Sequence, residues 1–248
     1  MRYIINADDF GRTKTVNDAI MFGFVNGYLS RTTAMVNMPF FDEAVKISEE
    51  HGFKDKVGLH INITSGVPLT DDIKNYDLFC DEKGIFNGKL FDKKYMFSRL
   101  KKGERNALVK EIDAQIEKFF ASGFTLLHAD SHGHVHTFEA VSKIILKELK
   151  KYGFKSVRIS RNIKVKGAKK AYKKLKNIKF MRFNRKNGSH CDYFDSYKVV
   201  EQNYDWLNRE EGICEIMLHP NSYEGQGMQI GEGYRYHKLK REILEEKI

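Results

Sequence analysis

The sequence alternates short apolar runs with longer amphipathic stretches, and this alternation limits the folds open to the chain. Strand-like runs cover Tyr3–Ala7, Thr32–Met38, Val57–Ile63, Leu126–Ala129, Ser156–Ser160 and Ile213–Leu218. Apolar residues at helical spacing lie between them, at about 16–26, 41–50, 104–120 and 138–152. Strands that alternate with helices predict a parallel sheet with crossover helices. We therefore expect an α/β fold, a single-domain (β/α) barrel with some distortion, over residues 1–248.

Length and composition agree with this expectation and exclude several other classes. A chain of 248 residues lies within the range of single α/β barrels, and 41% hydrophobic residues suffice for a core. The longest apolar run, Ile20–Val25, is far shorter than the roughly 20 residues that cross a bilayer. Two aspartates stand at positions 8 and 9, before any signal-peptide apolar region. With three scattered cysteines and no disulfide framework, we expect a cytoplasmic protein with no membrane partner.

The positive charge is concentrated in one segment. The chain carries a net charge of +10, but Arg161–Lys186 holds twelve Lys or Arg residues and no acid. Aromatic residues among these cations are compatible with binding to nucleic acid or an acidic polymer. We favour a solvated basic helix, because apolar residues such as Leu175 and Ile178 give it a side to pack. Nucleic acid is therefore not an expected partner, although the patch could steer an anionic glycan towards a site.

Chemically active side chains recur where the predicted strands end. In α/β barrels and open sheets the carboxyl ends of the strands form one rim, and sites are built there. Residues far apart in sequence can therefore meet around one point. The residues at these positions are Asp8, Asp9, His60, Asp130, His132, His134, His136, Arg158 and His219.

These residue types suit metal-assisted hydrolysis of an amide. One carboxylate and two imidazoles make a three-ligand metal site with an open position for water. Amide hydrolysis also needs a base for the water and an acid for the leaving amine. Of the adjacent Asp8 and Asp9, one can bind the metal while the other serves as the base. His219 is the natural acid. Arg158 either orients a carboxylate or is a surface strand residue.

Each feature has a simpler structural interpretation. An Asp-Asp pair is often a turn or a helix cap, and His60 alone is more often a core histidine. Histidines 132, 134 and 136 share one face if the strand continues, which favours metal binding. His134 and His136 can instead contact substrate. Phe10 belongs to the core or lines a sugar pocket.

Four motifs together resemble the YdjC-like carbohydrate deacetylases. They are Asn6-Ala7-Asp8-Asp9-Phe10-Gly11, Gly58-Leu59-His60, Asp130-Ser131-His132-Gly133-His134-Val135-His136 and Leu218-His219-Pro220. Their order and spacing extend the resemblance from residue 1 to about residue 225.

The resemblance implies a fold, a metal site and a division of roles. The fold is a (β/α) barrel related to the polysaccharide deacetylase barrels. One divalent metal is held by Asp9, His60 and His132, with Asp8 as base and His219 as acid. Family members are usually described with magnesium, whereas two imidazoles suit zinc or cobalt at least as well. Members also tend to be homodimers.

The leading hypothesis is metal-dependent removal of acetyl groups from N-acetylated sugars such as chito-oligosaccharides. Arg158 would tune Asp8, and His134, His136 and Phe10 would contact the substrate. One alternative is a metal-dependent phosphoesterase on the same rim, which usually needs a second set of ligands. The other is an acidic-polymer or nucleic-acid-binding protein that uses residues 161–186.

Overall fold

One curled parallel sheet carries the fold. A computed structural model describes residues 1–92, 95, 99–163, 168–224, 227–230, 234–236, 243, 245, 247 and 248. The sheet has seven strands in the order β5-β4-β3-β2-β1-β7-β6. They are β1 (Arg2–Phe10), β2 (Arg31–Ala34), β3 (Val57–Ile61), β4 (His128–Ser131), β5 (Ser156–Val157), β6 (Tyr193–Ser196) and β7 (Ile213–Leu218). The predicted α/β fold is confirmed.

Helices connect successive strands. They are α1 (Lys14–Val25), α2 (Phe41–Glu50), α3 (Lys102–Ala121), α4 (Glu139–Lys151), α5 (Ala168–Lys186), α6 (Tyr197–Glu201) and α7 (Tyr204–Leu207). The Thr13 side chain accepts the Val16 N–H and so begins α1 directly after β1. Helix α3 buries a stripe at helical spacing that includes Leu108, Ile112 and Ile116. Within the described residues, no helix is both long enough and apolar enough to cross a bilayer.

The two outer strands of the sheet approach each other without forming a ladder. The backbone N–H of Asn162, in the loop after β5, donates to the Phe194 carbonyl of β6 at 3.1 Å. The Asn162 side chain accepts the Phe194 N–H at 2.9 Å. The barrel is therefore distorted: seven strands curl round, and the hydrogen bonds of the loop residue Asn162 help to bridge the gap.

The interior of the curled sheet is polar. Alternate residues of a strand face opposite sides. Tyr3, Ile5 and Ala7 of β1 are fully buried in the hydrophobic core, whereas Asn6 and Asp8 join the polar contacts described below. The site is built in this interior and at its rim.

Several element predictions need correction. Strand β2 ends at Ala34 rather than Met38, and Leu126–Ala129 is replaced by His128–Ser131. After Ser131 the chain turns into the 3-10 helix His132–Thr137, so the strand does not continue through the histidines.

Two structures were not predicted. Strand β6 follows the basic helix, and β8 (Pro220–Glu224), β9 (Gly227–Ile230) and β10 (Tyr234–Tyr236) form a small antiparallel sheet after His219. For the charged C-terminal tail, residues 234–248, the sequence predicts a helix; the structure has strand β10 at Tyr234–Tyr236 instead, and most of the remaining tail lies outside the described residues. In the basic segment, residues 168–186 are helical as expected, and 164–167 lie outside the described residues.

Candidate functional site

The end of β1 presents two adjacent carboxylates to the same region. In a regular strand Asp8 and Asp9 would face opposite sides. Here the register of β1 with β2 shifts between Ala7 and Phe10, and Asp9 adopts a positive φ of 71°. Such left-handed geometry is rare for residues other than glycine, although aspartate tolerates it better than most. The irregularity lets both carboxylates join the site, and strain of this kind is typical of functional residues.

Asp9, His60 and His132 converge on one point. Oδ1 of Asp9 lies 3.0 Å from Nδ1 of His132 and 3.2 Å from Nε2 of His60. One ligand atom from each of the three residues lies within 4.8 Å of the other two. Although His60 Nε2 is buried and close to Asp9, it forms no hydrogen bond of acceptable geometry within the described residues.

This arrangement fits a divalent cation. Nitrogen and oxygen ligands about 2.1 Å from one ion, at angles near 90–110°, lie roughly 3.0–3.4 Å from each other. The separations of 3.0 and 3.2 Å between Asp9 Oδ1 and the two imidazole nitrogens match that spacing. A buried imidazole nitrogen without a hydrogen-bond partner would also gain a ligand bond there. His132 is 20% exposed, so the cluster is open towards the rim on that side.

The other nitrogen of His60 is held by a buried carboxylate. Oδ1 of Asp130 lies 2.6 Å from His60 Nδ1, and the Thr33 hydroxyl donates to Oδ2 of Asp130 at 3.1 Å. A carboxylate behind a histidine fixes the ring and its tautomer in metal sites. Burial lowers the pKa of His60, but Asp130 and Asp9 outweigh it and raise that pKa to about 10. Without a cation the ring therefore holds a proton on Nε2, which a cation would displace.

Asp9 is held in its ionised form. Burial alone would raise its pKa, but contacts with His132 and His60 hold the pKa well below its ordinary value. Arg12 donates to the second carboxylate oxygen of Asp9 at 2.9 Å. This leaves Oδ1 directed at the two imidazoles.

Asp8 lies beside this cluster and is paired with Arg158. The guanidinium donates to both carboxylate oxygens, at 2.6 and 2.7 Å, and Asn6 donates to Oδ1 at 2.8 Å. Burial would raise the pKa of Asp8, but Arg158 lowers it overall. Nε2 of His219 lies 3.9 Å from Asp8 Oδ2, and its side chain is 40% exposed. The structure thus brings four of the predicted residues, His60, His132, Arg158 and His219, around the pair Asp8 and Asp9.

Asp8 also belongs to a closed ring of buried contacts. Arg158 Nε donates to Glu215 Oε1 at 2.6 Å, and Arg31 lies 2.8 Å from Glu215 Oε2. Arg31 in turn donates to Asn6 Oδ1 at 3.0 Å, and Asn6 donates back to Asp8. Asp8 is therefore fixed on one side by Arg158 and on the other by Asn6.

Sequence reasoning missed Glu215, Arg31 and Asn6 as parts of the site. The sequence did contain a sign of Glu215, because it is the one acid in the otherwise apolar strand Ile213–Leu218. In the structure it is 1% exposed, and a buried acid needs a partner. Asn6 stands in the first of the four motifs, which assigned it no role, and no comparable signal identifies Arg31. Asp130 was placed at the rim, but its role behind His60 follows only from the contact.

His136 and Phe10 have no surface to offer a substrate. Both are fully buried. The imidazole of His136 accepts from the Ser131 hydroxyl at 2.6 Å and donates to the Arg158 carbonyl at 3.0 Å. Phe10 packs on Phe53 within the core. The expectation of direct substrate contact is corrected for both, since His136 braces the backbone of Arg158 and Phe10 is a core residue.

His134 differs from its neighbours. Gly133 and His134 have positive φ values of 59° and 58°, so the three histidines do not share one face. The His134 ring meets Phe194 edge-on at 5.6 Å, and its Nδ1 has no hydrogen-bond partner within the described residues. Burial and Arg158 hold its pKa well below the ordinary value, so the ring is neutral. The residue is half-buried and its unpartnered Nδ1 is itself buried, so contact of His134 with substrate stays a prediction.

Comparisons with known proteins come from sequence and from structure. A sequence model of YdjC-like proteins matches residues 2–242. A carbohydrate deacetylase of Thermoanaerobacter pseudethanolicus is 31% identical over 251 residues, covering 100% of this chain and 92% of the relative. A carbohydrate deacetylase of Vibrio cholerae is 38% identical over 152 residues, covering 61% of this chain and 56% of the relative.

One solved structure shares the fold. It is a crystal structure of a candidate cellobiose-phosphate cleavage protein from Enterococcus faecalis V583, with a TM-score of 0.69 and 24% identity. The match covers 90% of this chain and 82% of the other. At that identity the likeness concerns the fold alone.

Proposed function

Because this chain belongs to the YdjC-like family, we propose that it is a metal-dependent carbohydrate deacetylase acting on N-acetylated sugars. The observation that carries the proposal is the convergence of Asp9, His60 and His132 beside Asp8 and His219. The activity named for two relatives, carbohydrate deacetylation, agrees with it.

The proposed metal ligands are Asp9, His60 and His132. When bound, a divalent cation would polarise the acetamide carbonyl and lower the pKa of a bound water. Magnesium and zinc are both candidates. Two imidazoles and one carboxylate favour zinc or cobalt, because magnesium prefers oxygen ligands.

Asp8 is the proposed base and His219 the proposed acid. Asp8 would take a proton from the attacking water, and Arg158 orients its carboxylate and keeps it ionised. A carboxylate paired this way is a weak base, which suits a water that is already acidified. His219 would donate a proton to the amine nitrogen as the C–N bond breaks, releasing acetate and a free amino sugar. His134 would contact the substrate.

Acetate release from a chitin disaccharide tests this function. Activity should disappear with a chelator and return with a divalent cation. His132→Ala should lower kcat/KM at least about a hundredfold, since it removes a proposed ligand. His190→Ala is the matched control, because His190 is an exposed histidine whose one ion pair among the described residues is with Asp192. Equal activity of wild type and His132→Ala would exclude the metal-centred mechanism.

A phosphoesterase remains the alternative enzyme, and one observation bears on it. His128, Asp130 and Glu215 form another group of possible ligand atoms. Arg158 pairs with both of these carboxylates, and Arg31 pairs with Glu215. The guanidinium groups of Arg158 and Arg31 already neutralise these two carboxylates. We therefore propose that this group binds no metal and that each chain holds one metal ion. Two metals per chain would favour the phosphoesterase.

Domain organisation, oligomeric state and location are also proposed. We propose one domain over residues 1–248 with the basic segment 161–186 as an insert. We also propose a homodimer, as the resemblance to the YdjC-like family implies. We also propose a cytoplasmic location, because Cys80, Cys191 and Cys214 are free and buried, which fits a reducing compartment. Binding of an acidic polymer by the basic segment is the third functional alternative.

A further inference from the structure

One large aromatic side chain is exposed beside the candidate metal ligands. Phe91 ends the 3-10 helix Lys89–Phe91 in the connection between β3 and α3, and it is 45% exposed. Leu90, the residue before it, is 1% exposed and anchors this turn in the core. The exposed ring is therefore carried by a turn that is itself fixed.

The position of the ring follows from its contact with Gly133. A Cβ added to Gly133 would lie 2.3 Å from two carbons of the Phe91 ring. Gly133 directly follows the proposed ligand His132, so the ring lies over the backbone next to the metal site. Gly133 also has a positive φ of 59°, which a residue with a side chain adopts only with strain. The glycine thus makes room for the ring at this place.

A second aromatic residue sets the tilt of the ring. Phe138, which precedes α4, meets Phe91 nearly perpendicularly, with centroids 6.3 Å apart and an interplanar angle of 82°. This is the edge-to-face geometry that aromatic pairs favour. With Gly133 and Phe138 as neighbours, the ring is held in place before any ligand arrives.

A fixed and exposed aromatic face fits the apolar face of a sugar. A pyranose ring presents a set of C–H bonds on one side, and these pack on the electron-rich face of an aromatic ring. Burying that face also removes apolar surface from water. We propose that Phe91 is a stacking platform for a sugar ring of the N-acetylated substrate. This proposal rests on the proposed carbohydrate specificity and adds a binding residue to it.

Two substitutions separate stacking from simple packing. Phe91→Ala removes the side chain, and Phe91→Leu keeps an apolar group against Phe138 but has no flat face. Both variants should raise KM for the chitin disaccharide roughly tenfold, with kcat within about twofold of wild type. Phe120→Leu is the matched control, because Phe120 is also partly exposed, at 36%, but lies on α3.

A binding measurement separates this proposal from the catalytic one. Calorimetric titration of the disaccharide into His219→Ala, and into the same variant with Phe91→Leu, measures affinity without rapid turnover. We expect a roughly tenfold weaker Kd in the double variant. Binding that depends on Phe91 without any acetate release by wild type would overturn the deacetylase function and keep the platform.

Three results would overturn the platform. One is a Phe91→Leu variant with wild-type KM and Kd, which would show that packing suffices. Another is a fall in kcat at unchanged KM. The last is no binding of the disaccharide by any variant that carries Phe91.

Discussion

At the scale of single residues, the site depends on how Asp8 is held. Arg158 has 0% exposure and contacts three carboxylates, those of Asp8, Asp130 and Glu215. A buried guanidinium is stable only when its charge is balanced and its donors are used. Glu215 supplies part of that balance without reaching the rim itself, so it acts as a positioning residue.

Replacing Glu215 should therefore destabilise the protein. Glu215→Gln keeps the shape of the side chain but leaves Arg158 and Arg31 with one negative charge fewer. We expect a loss of about 3 kcal/mol in the free energy of unfolding, measured by urea denaturation. Glu211→Gln, at an exposed acid, should change it by less than about 0.5 kcal/mol. Similar unfolding free energies of the two variants would show that the ring of buried contacts through Glu215 does not stabilise the fold.

The same substitution has a defined dependence on pH. Burial would raise the pKa of Glu215, but Arg31 and Arg158 lower it from 4.5 to about 2. A group whose folded-state pKa is lowered stabilises the protein above its unfolded-state pKa and loses that contribution as pH falls. The stability difference between wild type and Glu215→Gln should therefore shrink as pH falls from 4.5 to about 2. A difference that stays constant over this range would contradict the assignment.

At the scale of elements, helix α5 completes the outer edge of β5. The Asn184 amide accepts the Val157 N–H at 2.7 Å and donates to the Val157 carbonyl at 2.9 Å. Asn177 bonds the N–H and carbonyl of Ser160 in the same way, at 2.8 and 2.9 Å. Two side-chain amides thus replace a missing strand on both sides of Arg158.

Removing one of these amides should loosen the strand that positions Arg158. Asn184→Leu leaves two buried backbone groups of Val157 without partners, at a cost of about 1–3 kcal/mol each. We expect a comparable fall in unfolding free energy and a clear fall in kcat. Asn187→Leu is the control, since that amide donates to the Phe183 carbonyl at 2.7 Å, a contact within the last turn of the helix. Equal effects at both positions would argue against a special role for α5 at this edge.

Strands and helices could be predicted from the sequence where the hydrophobic periodicity was strong. The predictions were wrong where a local turn sets the end of an element. The runs at β1, β3 and β7 and the stripe of α3 come directly from side-chain spacing. The end of β4 does not, because left-handed turns at Gly133 and His134 redirect the chain, and no spacing rule indicates them. The hairpin of β8 and β9 was also missed, since His219-Pro220 was interpreted only as a strand end.

At the scale of the whole molecule, the rim residues were predictable and their buried partners were not. The convergence of Asp8, Asp9, His60, His132 and His219 follows from the rule that parallel strands end at one side. Contacts such as those of Glu215 and Arg31 depend on which strands become neighbours. The order β2-β1-β7 places them together, and that order is a property of the complete sheet.

The uneven charge of the molecule leads to a prediction about salt. Exposed cations of α5 include Arg182, Arg185 and Lys186, but a neutral sugar gains nothing from them. Turnover of the neutral disaccharide should change less than about twofold between roughly 50 and 300 mM salt. Arg182→Gln with Arg185→Gln should behave like wild type with this substrate. A steep loss of turnover with salt would contradict this prediction, because it would show that charged groups of the protein contribute to turnover of a neutral sugar.

Metal stoichiometry tests the central claim most directly. Protein equilibrated with a divalent cation and analysed by elemental mass spectrometry should hold one ion per chain. Asp9→Asn keeps a residue that tolerates positive φ, and it should bind the ion at least about tenfold more weakly. His190→Ala should bind as wild type does. A wild-type protein that holds no ion, or an Asp9→Asn variant that holds it equally well, would contradict a shared site of Asp9, His60 and His132.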